Sequence, residues 1–154
     1  MLAALEAAGV RFIVIGGFAV SAHGHPRGTN DLDIVPDPDP RNLDRLARAL
    51  MDLGALVLGS EEFEGEELPD PHDPAALALG GNFVLTTKHG RLDVMQIVSP
   101  DLEYGDFDSA AIEDEVLGHR VRFCGYEHLV AMKEAAGRDQ DLVDLRRLRE
   151  ARGE

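Results

Sequence analysis

Cysteine is almost missing from this chain of 154 residues: Cys124 stands alone. No internal disulfide can form, which suits a reducing compartment. Long apolar runs are missing as well, and none approaches the roughly 20 residues of a membrane-spanning helix. The opening "MLAALEAAGV" has no basic start of a secretory leader and carries Glu6. The expectation is a cytoplasmic protein without membrane contact. Cations are scarce, with 15 Lys and Arg against 29 Asp and Glu and a net charge of −14. That balance argues against a sequence-blind grip on DNA or RNA, which needs many cations opposite phosphates. It leaves room for a single nucleotide, whose charge metal ions and a few local cations can meet. There is no P-loop signature, no zinc-ligand spacing and no Ser/His/Asp order, and no internal repeat.

What is present suits one domain of residues 1–154 with its own core: the length is right, and hydrophobic residues make up an ordinary 44%. The first ten residues read as an amphipathic helix. Residues 11–16 ("RFIVIG") read as a buried strand closed by glycine. A short helix is expected over 18–23 and a second strand over 31–35. "PDPDP" then breaks the chain. Residues 42–54 place Leu43, Leu46, Ala47, Leu50 and Leu53 on one helical stripe, and 55–59 read as a strand. Residues 60–81 show no period and read as a long acidic loop, a kind that is usually functional or mobile. Between Glu61 and Asp73 lie seven acids and no Lys or Arg, most simply a solvated surface. A hairpin follows, 82–87 and 91–98, turning at Lys88-His89-Gly90. After a variable stretch, 119–124 is a last strand. Helices at 126–136 and 140–150 end the chain, with Gly137 stopping the first and Asp139 capping the second. Arg146, Arg147, Arg149 and Arg152 gather at the C-terminal end of the last helix, where the dipole favours cations. The class is α/β or α+β, with a mixed sheet and a helical C-terminal part.

One stretch does not fit a plain core, "IGGFAVSAHGHPRGTNDLDIV", residues 15–35. Alternation along a strand points Asp31 and Asp33 one way and Leu32 and Ile34 the other. Two carboxylates on one face repel unless a cation lies between them. A hard divalent ion bound by one or two carboxylates, with positions left for phosphates, would explain the pair. A solvent-facing edge strand would also explain it. Gly16-Gly17 sits where a strand passes into a helix, so the backbone can approach a ligand there, or simply turn tightly. "GRLDVMQIV" puts a further carboxylate, Asp93, inside an apolar strand. It either shares a site with Asp31 and Asp33, pairs with Arg91, or faces solvent.

Taken together, Gly16, Gly17, Ala19, Gly24, Arg27, Thr29, Asp31 and Asp33, with Asp93 on a later strand, resemble the DNA polymerase β-like nucleotidyltransferase superfamily. The likeness is to its small bacterial members: minimal nucleotidyltransferases, the AbiEii-like toxin group, and the lincosamide and aminoglycoside nucleotidyltransferases. The motif covers residues 12–35 and 91–97, and the general layout covers the whole chain. "MKEAAGRDQDLVDL" also looks like the helical ending of such proteins, with Lys133 and Arg138 in the usual positions. The resemblance implies a nucleotidyltransferase fold and transfer of a nucleoside monophosphate from an NTP to a hydroxyl of a small molecule, a protein or tRNA. It implies that the Gly16-Gly17 backbone holds the triphosphate. It further implies that Asp31, Asp33 and Asp93 hold two Mg²⁺ (or Mn²⁺) ions and that Asp93 accepts the acceptor's proton. Such transfer needs charge neutralisation and in-line positioning more than a reactive side chain. The alternative is a non-catalytic nucleotide- or partner-binding module of the same fold, such as one half of a toxin–antitoxin pair. A homodimer or an antitoxin-like partner could stand in for the acceptor-binding domain of larger relatives. An acidic 60–81 loop beside the aspartates would suit a cationic acceptor.

Other residues carry two readings each. Arg27 is a phosphate fork or a turn residue, and Thr29 a phosphate ligand or a turn cap. Lys133 reaches the triphosphate or sits on the surface. His23 and His25 suggest a metal pair but fall at a helix end. His72 and His89 are expected to be exposed, and Cys124 a small buried hydrophobe.

Overall fold

The computed structural model describes residues 1–59 and 68–154. The sequence's strand and helix signals build one mixed sheet with helices packed on it. Helix α1 (Leu2–Ala7) leads into β1 (Phe12–Ile15), which passes directly into α2 (Gly16–Ala22). Then come β2 (Asp31–Pro36), α3 (Pro40–Asp52), β3 (Leu56–Val57), α4 (Pro74–Ala78), β4 (Phe83–Thr87) and β5 (Gly90–Val94). The chain ends with α5 (Tyr104–Ala110), β6 (Ile112–Val116), β7 (His119–Phe123), α6 (Tyr126–Ala136) and α7 (Asp139–Ala151). The described strands form a sheet in the order β3-β4-β5-β2-β1-β7-β6. Strand β2 is central. It runs antiparallel to β1 and parallel to β5, with Asp31 opposite Arg91 and Asp33 opposite Asp93.

The core joins Ile13, Ile34, Leu85, Leu92 and Val94 of the sheet to Leu46 and Leu50 of α3 and Leu129 of α6. Helix α3 starts two residues before the expected position, because Asp39 caps the N–H of Arg41 and Pro40 occupies the first turn. Its Asn42 is fully buried and satisfied. It accepts from the Arg11 N–H (2.7 Å) and donates to the Arg11 and Asp37 carbonyls (2.9 and 2.8 Å), stapling the helix to the lead-in of β1.

Several expectations need correction. The second strand of the hairpin stops at Val94, short of residue 98. The Asn82 side-chain oxygen accepts from the N–H groups of Gln96 and Ile97, and the Gln96 amide donates to the Leu77 and Gly81 carbonyls. These bonds take the place of a sheet ladder. The 60–81 segment contains α4, begun by the Asp73 cap and Pro74 and anchored by the fully buried Leu77. The rest of that expectation, at 60–67, lies outside the described residues. The "variable" stretch holds α5 and β6. Helix α7 is preceded by Arg138 at its cap position, with Asp139 already inside it. The carboxylate that receives the Arg138 N–H is that of Asp141 (3.2 Å). His72 is half-buried, not exposed.

Candidate functional site

Parallel pairing of β2 with β5 does for four side chains what no local pattern could. Asp31 and Arg91 form one rung and Asp33 and Asp93 the next, and alternation turns all four to one face. Arg91 grips Asp93 with both arms of its fork, Nε to Oδ1 and Nη2 to Oδ2, each at 3.0 Å. Its remaining nitrogen stands 3.9 Å from Asp31. The Asp93 side chain is only 11% exposed, whereas Arg91 (40%) and Asp31 (43%) are open to solvent.

Asp33 has no such fork. Burial first, then the charges of Asp93 and Asp31, push its carboxyl up from 3.8 to about 6, and Arg91 and Lys133 only partly oppose them. Gly16 lies against it. Its φ of +69° suits glycine, and a Cβ there would collide with the Asp33 carboxylate. The glycine thus leaves the carboxylate its place. Gly17 is packed differently, since a Cβ on it would meet Arg27 at 2.8 Å and Thr29 at 3.0 Å.

The cluster opens on a cleft of about 600 Å³, within the usual range for a small-molecule site. Gly16, Asp33 and Asp93 form one side, and Lys133, Arg138 and Asp141 another. Met95, Ile97, Val98, Leu129 and Met132 supply apolar wall. No residue of 68–81 lines it. The described part of the acidic segment therefore lends no charge to this cleft.

Lys133 is not a surface lysine. It shares the buried face of α6 with Leu129, is 6% exposed, and holds Asp141 and Asp144 of α7 at 2.8 Å each. Arg138 also donates to Asp141 (2.7 Å). Burial raises the Asp141 carboxyl, but the bonds from Arg138 and Lys133 outweigh it and hold it at about 2. Arg27 reaches across from the turn before β2 to Asp144 (3.1 Å), so its charge faces α7. Thr29 donates to the Asp31 carbonyl (3.3 Å), which is turn chemistry. His23 bonds the Cys124 carbonyl (2.8 Å), and burial pushes the Cys124 thiol up to about 12, the mark of an inert thiol.

The structure therefore brings Gly16, Asp31, Asp33, Asp93 and Lys133 to one place and directs Arg27 and Thr29 elsewhere. Sequence reasoning weighed Arg91 only as a pairing partner for Asp93 and missed Asp141 and Asp144. A signal existed for the latter two: with Leu145 and Leu148 they fall on the i, i+3, i+4, i+7 stripe that α7 buries.

Carboxylate oxygens are the donors a hard divalent cation takes, and Asp33 is half-buried and opposed by its neighbours' charges. Among the described residues, no three His, Cys, Asp or Glu side chains are grouped so that they could hold a metal ion as they stand. Arg91 occupies both oxygens of Asp93.

No family model matches the sequence, and the search of curated proteins finds no match. Solved structures do match, and they establish that the chain has the nucleotidyltransferase fold. It is similar to the antibiotic-resistance factor ANT(2'')-Ia in solution, with TM-score 0.62 and 19% identity over 97% of this chain and 79% of that one. It is likewise similar to crystalline ANT(2'')-Ia in complex with adenylyl-2''-tobramycin, with TM-score 0.61 and 18% identity over 97% of this chain and 84% of that one. A candidate nucleotidyltransferase from Thermotoga maritima matches at TM-score 0.57 and 14% identity, over 95% of this chain and 86% of that one.

Proposed function

We propose that this chain is a nucleotidyltransferase that moves a nucleoside monophosphate from an NTP to a hydroxyl acceptor, using the cleft between β2, β5 and α6. The observation that carries the proposal is the Asp33–Asp93 rung, backed by Asp31 and opposite a glycine whose missing Cβ leaves Asp33 its place. The acceptor oxygen forms a bond to the α-phosphorus, the bond from that phosphorus to the bridging oxygen of the β-phosphate breaks, and pyrophosphate leaves. Asp31, Asp33 and Asp93 would hold two Mg²⁺ or Mn²⁺ ions. Bound divalent ions supply neutralisation of phosphate charge and acidify the acceptor hydroxyl. Asp93 takes the acceptor's proton. The Gly16-Gly17 backbone turns under the triphosphate, and Lys133, fixed by its two aspartates, adds positive potential on the far side of the cleft. The apolar wall at Met95, Ile97 and Met132 excludes water and receives the less polar part of the nucleotide or acceptor.

The ANT(2'')-Ia complex holds an adenylylated aminoglycoside, which makes a small polyhydroxylated molecule the first acceptor to try. Among the described residues no helix is long and apolar enough to cross a membrane, and the proposed setting is the cytoplasm. The proposed unit is the whole of residues 1–154, with a second copy or an antitoxin-like chain as the partner to look for.

The test is to incubate the protein with Mg²⁺, each NTP in turn, and a panel of aminoglycosides, tRNA and protein acceptors. Pyrophosphate release and adduct mass are the readouts. Release together with an acceptor heavier by one nucleoside monophosphate is expected, and both should disappear in Asp33→Asn. One observation favours a second reading, a non-catalytic nucleotide-binding module: Arg91 already occupies Asp93. Metal-dependent NTP binding with no transfer to any acceptor and no pyrophosphate release would select that reading.

A further inference from the structure

Arg91 is unusual in its placement. It lies two residues before Asp93 on the same strand and faces the same way. It is paired in register with Asp31, and both its forward nitrogens are spent on the two oxygens of Asp93. The cluster therefore holds three carboxylates and one guanidinium within two rungs of sheet. Any divalent ion shared by Asp33 and Asp93 needs an oxygen that Arg91 now uses. Arg91 can yield it, because its side chain is 40% exposed and free to swing into solvent. A guanidinium released there needs a new anionic partner, and a phosphate group matches its fork as well as a carboxylate does.

We propose that Arg91 is a tethered counter-ion that competes with divalent metal for Asp93 and Asp31 and gives way when metal arrives with a polyphosphate. The proposal rests on the nucleotidyltransferase reading of this cleft. Its consequence is thermodynamic coupling. Metal alone must displace Arg91 without offering it a partner, so free Mn²⁺ binds weakly. Metal together with a triphosphate offers Arg91 a phosphate in exchange, so each tightens the binding of the other, and by the same factor. Arg91 is in this sense a positioning residue that sets when the carboxylates become available.

The test reads Mn²⁺ binding to the full chain by electron paramagnetic resonance and calorimetry, with and without a non-hydrolysable ATP analogue. The proteins are the unmodified chain, Arg91→Gln and Arg91→Lys. Arg91→Gln is expected to bind Mn²⁺ alone roughly tenfold more tightly than the unmodified chain, which corresponds to loss of one charge-assisted competitor. The analogue should then tighten Mn²⁺ binding less in Arg91→Gln than in the unmodified chain. Arg91→Lys keeps the charge without the fork and should fall between them. It also carries the test if the glutamine variant does not fold. Equal or weaker Mn²⁺ binding by the variants, with binding still present, overturns the counter-ion role and leaves the transferase reading standing. No Mn²⁺ binding by any of the three, with or without the analogue, overturns both.

Discussion

Two clusters of charge flank one cleft, and they are built on opposite principles. On the β2–β5 face three carboxylates meet one arginine, and the Asp33 carboxyl is driven up to about 6. Between α6 and α7 two buried carboxylates meet Lys133, Arg138 and Arg27, and the Asp141 carboxyl is held at about 2. In the second cluster every carboxylate is met by cations, and the pairing holds helices together. The first is short of positive charge, a poor arrangement for stability and a suitable one for receiving cations. In the proposed reading, that surplus of negative charge marks the half of the cleft that receives metal and nucleotide.

Breaking the comparison should have its largest effect on chemistry. If the transferase reading holds, Asp33→Asn and Asp93→Asn each lower kcat by at least about a thousandfold, the scale seen when charge stabilisation at a phosphoryl site is removed. Steady-state pyrophosphate release measures it. The next effect is on stability and has opposite signs in the two clusters. Lys133→Ala leaves Asp141 and Asp144 buried with less compensation and should cost about 3–5 kcal/mol. Asp33→Asn relieves a half-buried, repelled carboxylate and should stabilise the free protein by on the order of 1–3 kcal/mol at neutral pH. Urea unfolding at pH 7.5 compares the two.

A smaller effect depends on pH. The folded state binds the Asp33 proton more tightly than the unfolded state does. The stability this group contributes is therefore full below about pH 4, is lost as pH rises to about 6, and is flat above. Asp141 has the reverse sign: its contribution is present above the unfolded carboxylate pKa and is lost as pH falls towards about 2. The difference in unfolding free energy between the unmodified chain and Asp33→Asn should change between pH 4 and 6 and nowhere else. The smallest effect is expected at an ordinary surface pair. Arg149 meets Glu134 at 2.7 Å with both side chains about half exposed, and Arg149→Ala should cost less than about 1 kcal/mol.

Much of this arrangement was legible before any coordinates. Alternation alone put Asp31 and Asp33 on one face, and the apolar run around Asp93 flagged a carboxylate in need of a reason. The nucleotidyltransferase fold suggested by the glycine–aspartate motif is the fold observed. What stayed illegible depends on pairings between distant segments. Asp93 could be placed beside Asp33 only through the parallel register of β2 with β5. Lys133 read as a surface residue or a phosphate ligand because its partners are eight and eleven residues on, across a helix–helix turn. Helix α4 was lost inside an acidic, proline-rich stretch, since its single anchor, Leu77, leaves too short a pattern to detect. Strand β6 was missed because its exposed Glu113, Asp114 and Glu115 read as loop. Charged residues on an edge strand guard against pairing with other chains and so conceal the strand from a hydrophobic pattern.

The most direct test of the central claim, that the Asp33 cluster is left short of positive charge to receive metal and nucleotide, is calorimetric melting at pH 7.5. The unmodified chain and Asp33→Asn are compared with and without Mg²⁺ and each NTP. The account expects the unmodified chain to gain Tm with Mg²⁺ and NTP together, and Asp33→Asn to start from a higher Tm and gain nothing. An Asp33→Asn protein that melts lower than the unmodified chain, yet gains as much from Mg²⁺ and NTP, would contradict it.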